Sequence, residues 1–379
     1  MTTARPRARD LGIDLLGTPG TANAITDVPG LEVGYATLID GEGALTVGRG
    51  PVRTGVTAIL PRGREGVGRP CAAGRFSLNG NGEMTGSAWI DEVGEVALPI
   101  TISSTHAVGA CHTGVIEWIG EHHPVLARQW LLPVCAETWD GYLNDINGGH
   151  VTPAVVRQAL DAASSTAPAE GSVGGGTGMN CYGFKGGNGT ASRIVPFGET
   201  SYTVGVFVQA NFGERAELTV NGVRVGARMT VENPLEDTDW FERDLQVPGG
   251  AGSVIVIVAT DAPLNAAQCA ALARRVPLGL ARTGTTGSLF SGDLFLALST
   301  ANDGPSRTGF PTAAPSEAEL YTTQQLPWNR IDAFHAATVH AVEEAVLNAL
   351  VVNETMTGRD GHRSPALPHD QLRALLPQP

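Results

Sequence analysis

The stretch GAGSVIVIVA, residues 250–259, places a glycine-rich linker directly before a serine and a strongly apolar run. Five of the six residues from Val254 to Ala259 are β-branched, which is typical of a central strand buried on both faces. Ser253 therefore stands where a flexible linker meets a rigid element. This is a position in which cleavage of the preceding peptide bond would present a serine at a new chain terminus.

Ser253 would become a self-sufficient nucleophile if the bond between Gly252 and Ser253 were cleaved. The new terminus would carry a free α-amino group with a pKa of about 7.7–8.0, which can take the hydroxyl proton at neutral pH. Glycine suits the preceding position because it tolerates strained backbone geometry. The alternative is an ordinary Gly-Ser turn before a strand, which the local sequence by itself favours.

Apolar patterning elsewhere predicts both strands and helices. We expect strands over Leu31–Tyr35, Gly55–Leu60, Glu95–Pro99, Leu131–Val134, Tyr202–Gln209 and Asp293–Leu298, and a hairpin over Leu218–Val225 around Asn221–Gly222. We expect helices from near Thr105, capped by Ser104 or Thr105, and over Pro153–Ala163, Asn265–Ala273 and Ile331–Val352. Strands in both halves with helices grouped between them indicate an α/β layered architecture with mixed or antiparallel strands.

The composition is that of a globular enzyme. Of 379 residues, 42% are hydrophobic and 17% charged, which supplies a large core in one large domain or two closely joined ones. Lys and Arg number 25 against 38 Asp and Glu, and the net charge of −13 argues against nucleic acid or anionic membranes as partners. No apolar run reaches the ~18 residues of a membrane span.

The cysteines and the N-terminus indicate a soluble, cytoplasmic protein. The cysteine count is odd, and the five residues lie far apart in apolar sequence, which is typical of reduced, buried thiols: Cys71, Cys111, Cys135, Cys181 and Cys269. The segment Met1–Leu16 has no apolar stretch of signal-peptide length.

Three further groups of polar residues could serve a serine nucleophile. Ser291 and Asp293 stand two apart, so in an extended segment they share a face and could relay protons; the alternative is a local turn. Glu137 and Trp139 pair a carboxylate with an aromatic ring, which suits a substrate ammonium group; the alternative is a turn with solvated acids. Asn211, at a strand end, could donate to a developing oxyanion or simply form a turn.

Other familiar signatures are missing. The glycine-dense segment Gly171–Gly189 lacks phosphate-loop spacing because Lys185 is followed by glycine, so close strand packing is the better explanation. His106 and His112 are six residues apart and His335 and His340 five apart, which does not match paired metal ligands on a helix. No G-x-S-x-G elbow surrounds Ser253. We therefore predict no metal and no cofactor.

Taken together, the chain resembles the DmpA-type aminopeptidases, a family of self-processing serine peptidases that includes the β-aminopeptidases and the L-aminopeptidase/D-esterases. The matching stretches occur in order over nearly the whole chain: NAITDVPGLEVGYAT (23–37), GVTAILP (55–61), SLNGNGEMTG (77–86), AETWDGYLNDING (136–148), GTGMNCYGFKGGNGTASR (176–193), GSVIVIVATDAPL (252–264), SGDLFLALST (291–300) and NALVVNETMTGRDG (348–361).

The resemblance implies a fold and an assembly. The fold is an α/β, α-β-β-α layered sandwich of the DmpA/ornithine acetyltransferase type, similar to that of N-terminal-nucleophile hydrolases but differently connected. A single peptidase domain over residues 1–379 would cleave itself into a larger chain, 1–252, and a smaller chain, 253–379. A homotetramer of processed heterodimers is implied, with small peptides or amino acid amides as substrates.

The resemblance also implies roles for individual residues. Ser253 matches the nucleophile, Ser291 and Asp293 its polar support, and Asn211 the oxyanion-stabilising asparagine. Glu137 matches the carboxylate that holds the free amine of the substrate. Two positions depart from the family pattern: Trp139 replaces a tyrosine found in many members, which removes a hydroxyl donor, and Asp293 replaces the longer glutamate found in some.

Two rival functions fit the same sequence. One is a related amidase that acts on cyclic or linear oligoamides other than peptides. The other is an uncleaved, inactive relative that serves as a scaffold or binding protein. The preference for α-, β- or D-residues depends on loops that the sequence does not place.

Overall fold

The computed structural model describes residues 5–234, 252–303, 309–311 and 314–377. Residues 235–251, which include Gly250 and Ala251 of the linker, lie outside this part of the chain. The strands are β1 Glu32–Asp40, β2 Val52–Leu60, β3 Cys71–Gly80, β4 Glu95–Val96, β5 Ile100–Ser104, β6 Val134–Thr138, β7 Asn180–Cys181, β8 Phe184–Lys185, β9 Gly187–Phe197, β10 Thr200–Asn211, β11 Gly252–Thr260, β12 Ser291–Ser299, β13 Met356–Thr357 and β14 Arg363–Ser364.

Seven α-helices accompany these strands in the described ranges. They are α1 Ser87–Val93, α2 Val108–His122, α3 Pro153–Asp161, α4 Ala266–Ala273, α5 Val276–Arg282, α6 Asp332–Val351 and α7 His369–Leu375. Helix α4 begins with a capping box, in which Asn265 accepts from Gln268 N at 2.9 Å while Gln268 accepts from Asn265 N at 3.1 Å. Helix α3 begins at Pro153 with Thr152 as its N-cap.

The strands form two main sheets. One has four strands in the order β1-β2-β5-β6, and the other has six in the order β4-β3-β12-β11-β10-β9. Most neighbours are antiparallel, but β11 pairs with β12 in parallel, as β5 does with β6. The predicted α/β architecture with mixed strands is confirmed.

Strand β11 lies inside the six-stranded sheet and is buried on both faces, as its sequence predicts. Val254, Val256 and Val258 belong to a hydrophobic cluster shared with α4 and α6, whereas Ile255 and Ile257 belong to a cluster shared with the four-stranded sheet. A third cluster joins the opposite face of the four-stranded sheet to α2 and α3. This alternation follows from the two-residue period of a strand.

Helix α6 packs closely on the six-stranded sheet, and fourteen of its residues are buried. A Cβ at Gly189 of β9 would lie 1.9 Å from Ala345 O, so only glycine permits this approach. The helix predicted over Ile331–Val352 is confirmed as α6. No helix in the described ranges is both long and apolar enough to cross a membrane.

Two predicted strands are misplaced. The strand predicted over Glu95–Pro99 is only the two-residue β4, and β5 begins after Pro99, which has no N–H to donate to a ladder. The strand predicted over Leu131–Val134 begins only at Val134, after Pro133, and continues to Thr138. Glu137 therefore lies within β6 and not in a turn after it.

The predicted hairpin over Leu218–Val225 reduces to one bridge between Val220 and Val223. Leu218 and Val225 pack into the core, and Gly226 N donates to Leu218 O at 3.1 Å. The two flanking segments therefore fold onto the core and do not extend the ladder. The predicted helix start near Thr105 is a short 3₁₀ turn before α2. Ser104 and Thr105 do not cap it, because their hydroxyls donate to Asp140 and Glu137.

Candidate active site

Ser253 is the second residue of β11 and is only 2% exposed. Because Ile255 and Ile257 face the four-stranded sheet, the alternation of the strand directs the Ser253 side chain toward that sheet as well. Two groups donate to its Oγ: Trp139 N at 3.1 Å and Asn211 Nδ2 at 3.4 Å. The hydroxyl is thus buried next to two N–H donors that come from different sheets.

Asn211 is the last residue of β10 and lies directly opposite Ser253 in the antiparallel register. Its Oδ1 accepts a hydrogen bond from Asn180 N at 2.8 Å, which turns Nδ2 toward Ser253. Nδ2 also donates to Trp139 O at 2.9 Å. The side-chain amide is therefore held at both ends, as preorganised stabilisation of a developing charge requires.

Trp139 contacts Ser253 and Asn211 through its backbone N–H and carbonyl. It follows β6 directly, so the end of the four-stranded sheet presents this peptide to the six-stranded sheet. These bonds do not depend on the identity of the side chain at residue 139. The replacement of a family tyrosine by tryptophan leaves them in place.

Ser291 and Asp293 hydrogen-bond to each other, with Ser291 Oγ donating to Asp293 Oδ1. Asn79 Nδ2 donates to the other carboxylate oxygen at 3.0 Å. Burial raises the pKa of Asp293, and these two hydrogen bonds oppose the increase. In the described part of the chain, neither Ser291 nor Asp293 hydrogen-bonds to Ser253.

The register explains where the Ser291–Asp293 pair lies. Ser291 pairs with Gly252 and Gly292 pairs with Ser253 in the parallel ladder. Leu294 and Leu296 share a cluster with Ile255, so alternation places Ser291 and Asp293 on the opposite face of the sheet from the Ser253 hydroxyl. The pair is adjacent to the residue before the nucleophile.

Glu137 is buried in β6, and both of its carboxylate oxygens accept hydrogen bonds from neutral groups. Oε1 accepts from Glu83 N at 3.0 Å, and Oε2 accepts from Thr105 Oγ1. Burial raises the pKa of Glu137, and the two hydrogen bonds only partly offset this. No Arg or Lys of the described residues forms an ion pair with it.

The space around Gly252 excludes any larger residue. A Cβ at this position would lie 2.2 Å from Asn211 O and 3.0 Å from Phe212 Cα. Gly292, which pairs with Ser253, is equally confined, since a Cβ there would lie 2.3 Å from Asn81 O. Both strands are therefore restricted to glycine beside Ser253.

Several contact residues of the site are absent from the sequence-based candidates: Asn79, Glu83, Thr105 and Asn180. The first two lie in the SLNGNGEMTG stretch and Asn180 in the GTGMNCYGFKGGNGTASR stretch, so the family motifs contain them without assigning a role. Glu83 and Asn180 act through backbone N–H groups, which side-chain chemistry does not reveal.

A cavity of about 220 Å³ borders the SLNGNGEMTG stretch and is lined in part by Gly82, Glu83 and Leu294.

No cluster of three or more His, Cys, Asp or Glu side chains within the described ranges could hold a metal ion. The site instead combines a buried hydroxyl, a fixed amide and a carboxylate. These are the components of a hydrolase that transfers acyl groups through a hydroxyl nucleophile.

Comparisons with known proteins agree with that class. The model of peptidase family S58 matches residues 23–364. Two curated relatives are β-peptidyl aminopeptidases BapA: one from Sphingosinicella microcystinivorans is 46% identical over 98% of this chain and 92% of its own length, and one from Sphingosinicella xenopeptidilytica is 44% identical over 98% and 91%.

Solved structures give the same result. The L-aminopeptidase D-Ala-esterase/amidase of Ochrobactrum anthropi, described as a variant of the Ntn hydrolase fold, matches with a TM-score of 0.88 and 43% identity over 98% of both chains. A β-aminopeptidase of Burkholderia sp. matches with a TM-score of 0.86 and 42% identity over 99% of this chain and 100% of that one.

The chain belongs to peptidase family S58, and the resemblance to the DmpA-type aminopeptidases is confirmed. It is a mixed α/β hydrolase of the aminopeptidase type, with neighbours of the Ntn hydrolase fold. The family does not by itself assign the residues that carry the reaction.

Proposed function

We propose that this protein is a self-processing aminopeptidase that cleaves its own chain between Gly252 and Ser253 and then uses Ser253 as an N-terminal nucleophile. The observation that carries the proposal is the pair of N–H donors, from Trp139 and Asn211, directed at the buried Ser253 hydroxyl. The neutral hydroxyl oxygen can accept both bonds, and fixed N–H groups beside a nucleophilic hydroxyl also lie where they can stabilise the charge that develops as it attacks a carbonyl.

Self-cleavage begins when Ser253 Oγ attacks the carbonyl carbon of Gly252. A C–O bond forms, the C–N bond breaks, and the proton leaves Oγ for the departing nitrogen. Water then hydrolyses the ester, which leaves a carboxylate on Gly252 and a free hydroxyl and amine on Ser253. The chain of 379 residues is divided into segments 1–252 and 253–379. Tight packing around Gly252 supports this step, because only glycine fits beside Asn211.

The new α-amino group serves as the base. Its ordinary pKa of about 7.7–8.0 lets it accept the hydroxyl proton near neutral pH. Ser291 pairs with Gly252, so the Ser291–Asp293 pair lies beside the bond that is cleaved. A hydrogen bond from the new amine to this pair would hold it from the face of the sheet opposite the Ser253 hydroxyl.

Substrate hydrolysis repeats the chemistry on a second carbonyl. Ser253 attacks the amide that follows the N-terminal residue of the substrate, and Asn211 and backbone N–H groups stabilise the oxyanion. The leaving amine takes the proton, and water hydrolyses the acyl-enzyme. Glu137 binds the free ammonium group of the substrate, since its buried carboxylate has neutral donors but no Arg or Lys partner in the described residues.

The same proposal extends to substrate and assembly. Substrates are small peptides or amino acid amides and esters with a free amine, in keeping with relatives named for β-peptidyl and L-amino acid substrates.

The three clusters that alternate helices and sheets support an α-β-β-α sandwich in one domain over residues 1–379. Trp130 and Val125 are large apolar side chains that are exposed in the single chain, which supports a contact between subunits of a homotetramer. The five free cysteines support a cytoplasmic location.

The test is hydrolysis of amino acid p-nitroanilides with free and acetylated amines, using L-, D- and β-amino acids. We expect the purified protein to hydrolyse the free-amine compounds and to discriminate against the acetylated ones, and Ser253→Ala to be inactive toward both. An active Ser253→Ala protein would overturn the assignment of the nucleophile. Equal rates on free and acetylated substrates would favour an amidase that does not bind the amine.

A further inference from the structure

Lys185 is completely buried in β8, and its surroundings are unusual for a lysine. Nζ donates to Met179 O at 2.8 Å and to Gly186 O at 2.7 Å. No carboxylate within the described ranges forms an ion pair with it, and burial lowers its pKa to about 7. Burying an amine that binds only backbone carbonyls is costly, so this arrangement calls for a role.

The carbonyl that Lys185 contacts belongs to the same peptide group as a donor of the active site. Met179 O and Asn180 N are the two ends of one peptide bond, and Asn180 N donates to Asn211 Oδ1 at 2.8 Å. A hydrogen bond to the oxygen of an amide polarises the group and strengthens donation from its N–H. Lys185 therefore acts on the bond that orients Asn211.

The connection continues to the nucleophile. Asn211 Nδ2 donates to Ser253 Oγ and to Trp139 O. One uninterrupted hydrogen-bonded path thus runs from Lys185 through the Met179–Asn180 peptide and the Asn211 amide to the Ser253 hydroxyl. Asn180 and Lys185 also pair directly in the β7-β8 ladder, which fixes the path geometrically.

We propose that Lys185 is a positioning residue for the oxyanion-stabilising amide, acting through the Met179–Asn180 peptide on the orientation and donor strength of Asn211. This inference rests on the proposed function for its assignment of Ser253 and Asn211. Without Nζ, Met179 O keeps only its bond from Gly186 N at 2.8 Å. The Asn211 amide would then be less firmly oriented toward the position in which charge develops.

The experiment is a double-mutant cycle with Lys185→Met and Asn211→Ala, measured on a free-amine p-nitroanilide. Loss of a direct oxyanion donor costs about 10²–10³ in kcat, and we expect about tenfold from Lys185→Met because Lys185 acts at one remove. KM should change less than about twofold, since Glu137 and not Asn211 binds the substrate amine. The double variant should match Asn211→Ala alone.

One control variant separates a positioning effect on Asn211 from a general loss of folding. Tyr182→Phe removes hydrogen bonds to Thr283 and Thr285 from the same turn without touching the Met179–Asn180 peptide, and its kcat should stay near the wild-type value. If Lys185→Met does not fold, Lys185→Gln replaces it in the cycle. For variants that cleave themselves slowly, the first-order rate constant of self-cleavage is compared in place of kcat. Self-cleavage also depends on the Asn211 side-chain amide, so the same cycle applies.

The outcomes are distinct. An unchanged kcat in Lys185→Met, or a double variant reduced by the product of the two single effects, overturns the role of Lys185 while leaving the proposed function intact. A wild-type protein that neither cleaves itself nor hydrolyses the substrate overturns the proposed function instead. Non-additive loss with an unaffected Tyr182→Phe supports the inference.

Discussion

Glu344 and Glu137 are both buried, but their partners are of opposite kinds. Glu344, in α6, forms ion pairs with Arg193 Nη2 at 2.6 Å and Arg9 Nη2 at 2.8 Å. Glu137, in β6, accepts from one hydroxyl and one backbone N–H among the residues that the structure describes. The charge of Glu344 is balanced within the chain, whereas that of Glu137 lacks an Arg or Lys partner in the described residues and can be balanced by a ligand.

The pKa values of the two carboxyl groups are shifted in opposite directions, as their different partners would predict. Burial by itself raises the pKa of Glu344, yet the hydrogen bond from Arg9 and the charge of Arg193 bring it below the usual range. Burial raises the pKa of Glu137, and neutral donors do not compensate. A carboxylate with no Arg or Lys ion pair in the described residues suits a substrate ammonium group. Glu344 instead links helix α6 to the N-terminal segment through Arg9 and to β9 through Arg193.

Glu344→Gln should have the largest effect on stability. It removes the carboxylate that pairs with the buried Arg193, and breaking a buried ion pair on one side costs about 3–5 kcal/mol. We expect the free energy of unfolding in urea to fall by this amount at fixed protein concentration. The adjacent Glu343→Gln is the matched control: Glu343 is also buried, but the partner that it leaves, Arg282, is 43% exposed and can be solvated, so the loss should be smaller. Equal losses in the two variants would contradict the distinction.

Glu137→Gln should instead affect substrate binding. Charge-assisted hydrogen bonds contribute about 1.5–3 kcal/mol, so KM for a free-amine p-nitroanilide should rise about 10- to 100-fold. Unfolding in urea should be unchanged or slightly less favourable, because an unpaired buried carboxylate has been removed. Glu83→Gln is the control: Glu83 is exposed and hydrogen-bonds to Glu137 through its backbone N–H, so its side chain has only an electrostatic effect on Glu137 and KM should change much less. An unaltered KM in Glu137→Gln would exclude the ammonium-binding role.

The pH dependence of KM should give the smallest effect. The bound ammonium needs the carboxylate form of Glu137, so affinity is complete above the pKa of Glu137 and is lost as the pH falls through it. Because burial raises that pKa, KM should begin to rise at a pH above the usual glutamate value of about 4.3. The Glu137→Gln protein should show no such rise. His106 and Glu83 also act electrostatically on Glu137, so His106→Gln and Glu83→Gln test whether the transition belongs to Glu137 itself.

Much of the fold can be predicted from local pattern. The β-branched run after Ser253 requires burial on both faces, and β11 indeed lies inside a sheet between two clusters. The Asn265 cap and the apolar circumference of α6 are equally direct consequences of side-chain chemistry. Predictions failed where tertiary contacts decided the outcome, as for the hairpin at Asn221–Gly222, whose flanking residues pack inward.

The site was less predictable than the fold. Ser253, Asn211 and Glu137 carry side-chain chemistry that a sequence displays, and the structure places Asn211 against Ser253. The backbone donors at Glu83, Trp139 and Asn180 depend on which strands meet, which no local pattern encodes. Thr105 illustrates the difficulty, because the same hydroxyl suits a helix cap or a carboxylate, and only packing selects the carboxylate.

The central claim is that Ser253 becomes a chain terminus, and intact-mass spectrometry of the denatured protein with N-terminal sequencing tests it most directly. The account predicts two polypeptides, 1–252 and 253–379, the second beginning Ser-Val-Ile-Val, and one uncut chain for Ser253→Ala. An enzymatically active wild-type protein that consists of a single 379-residue chain would contradict it.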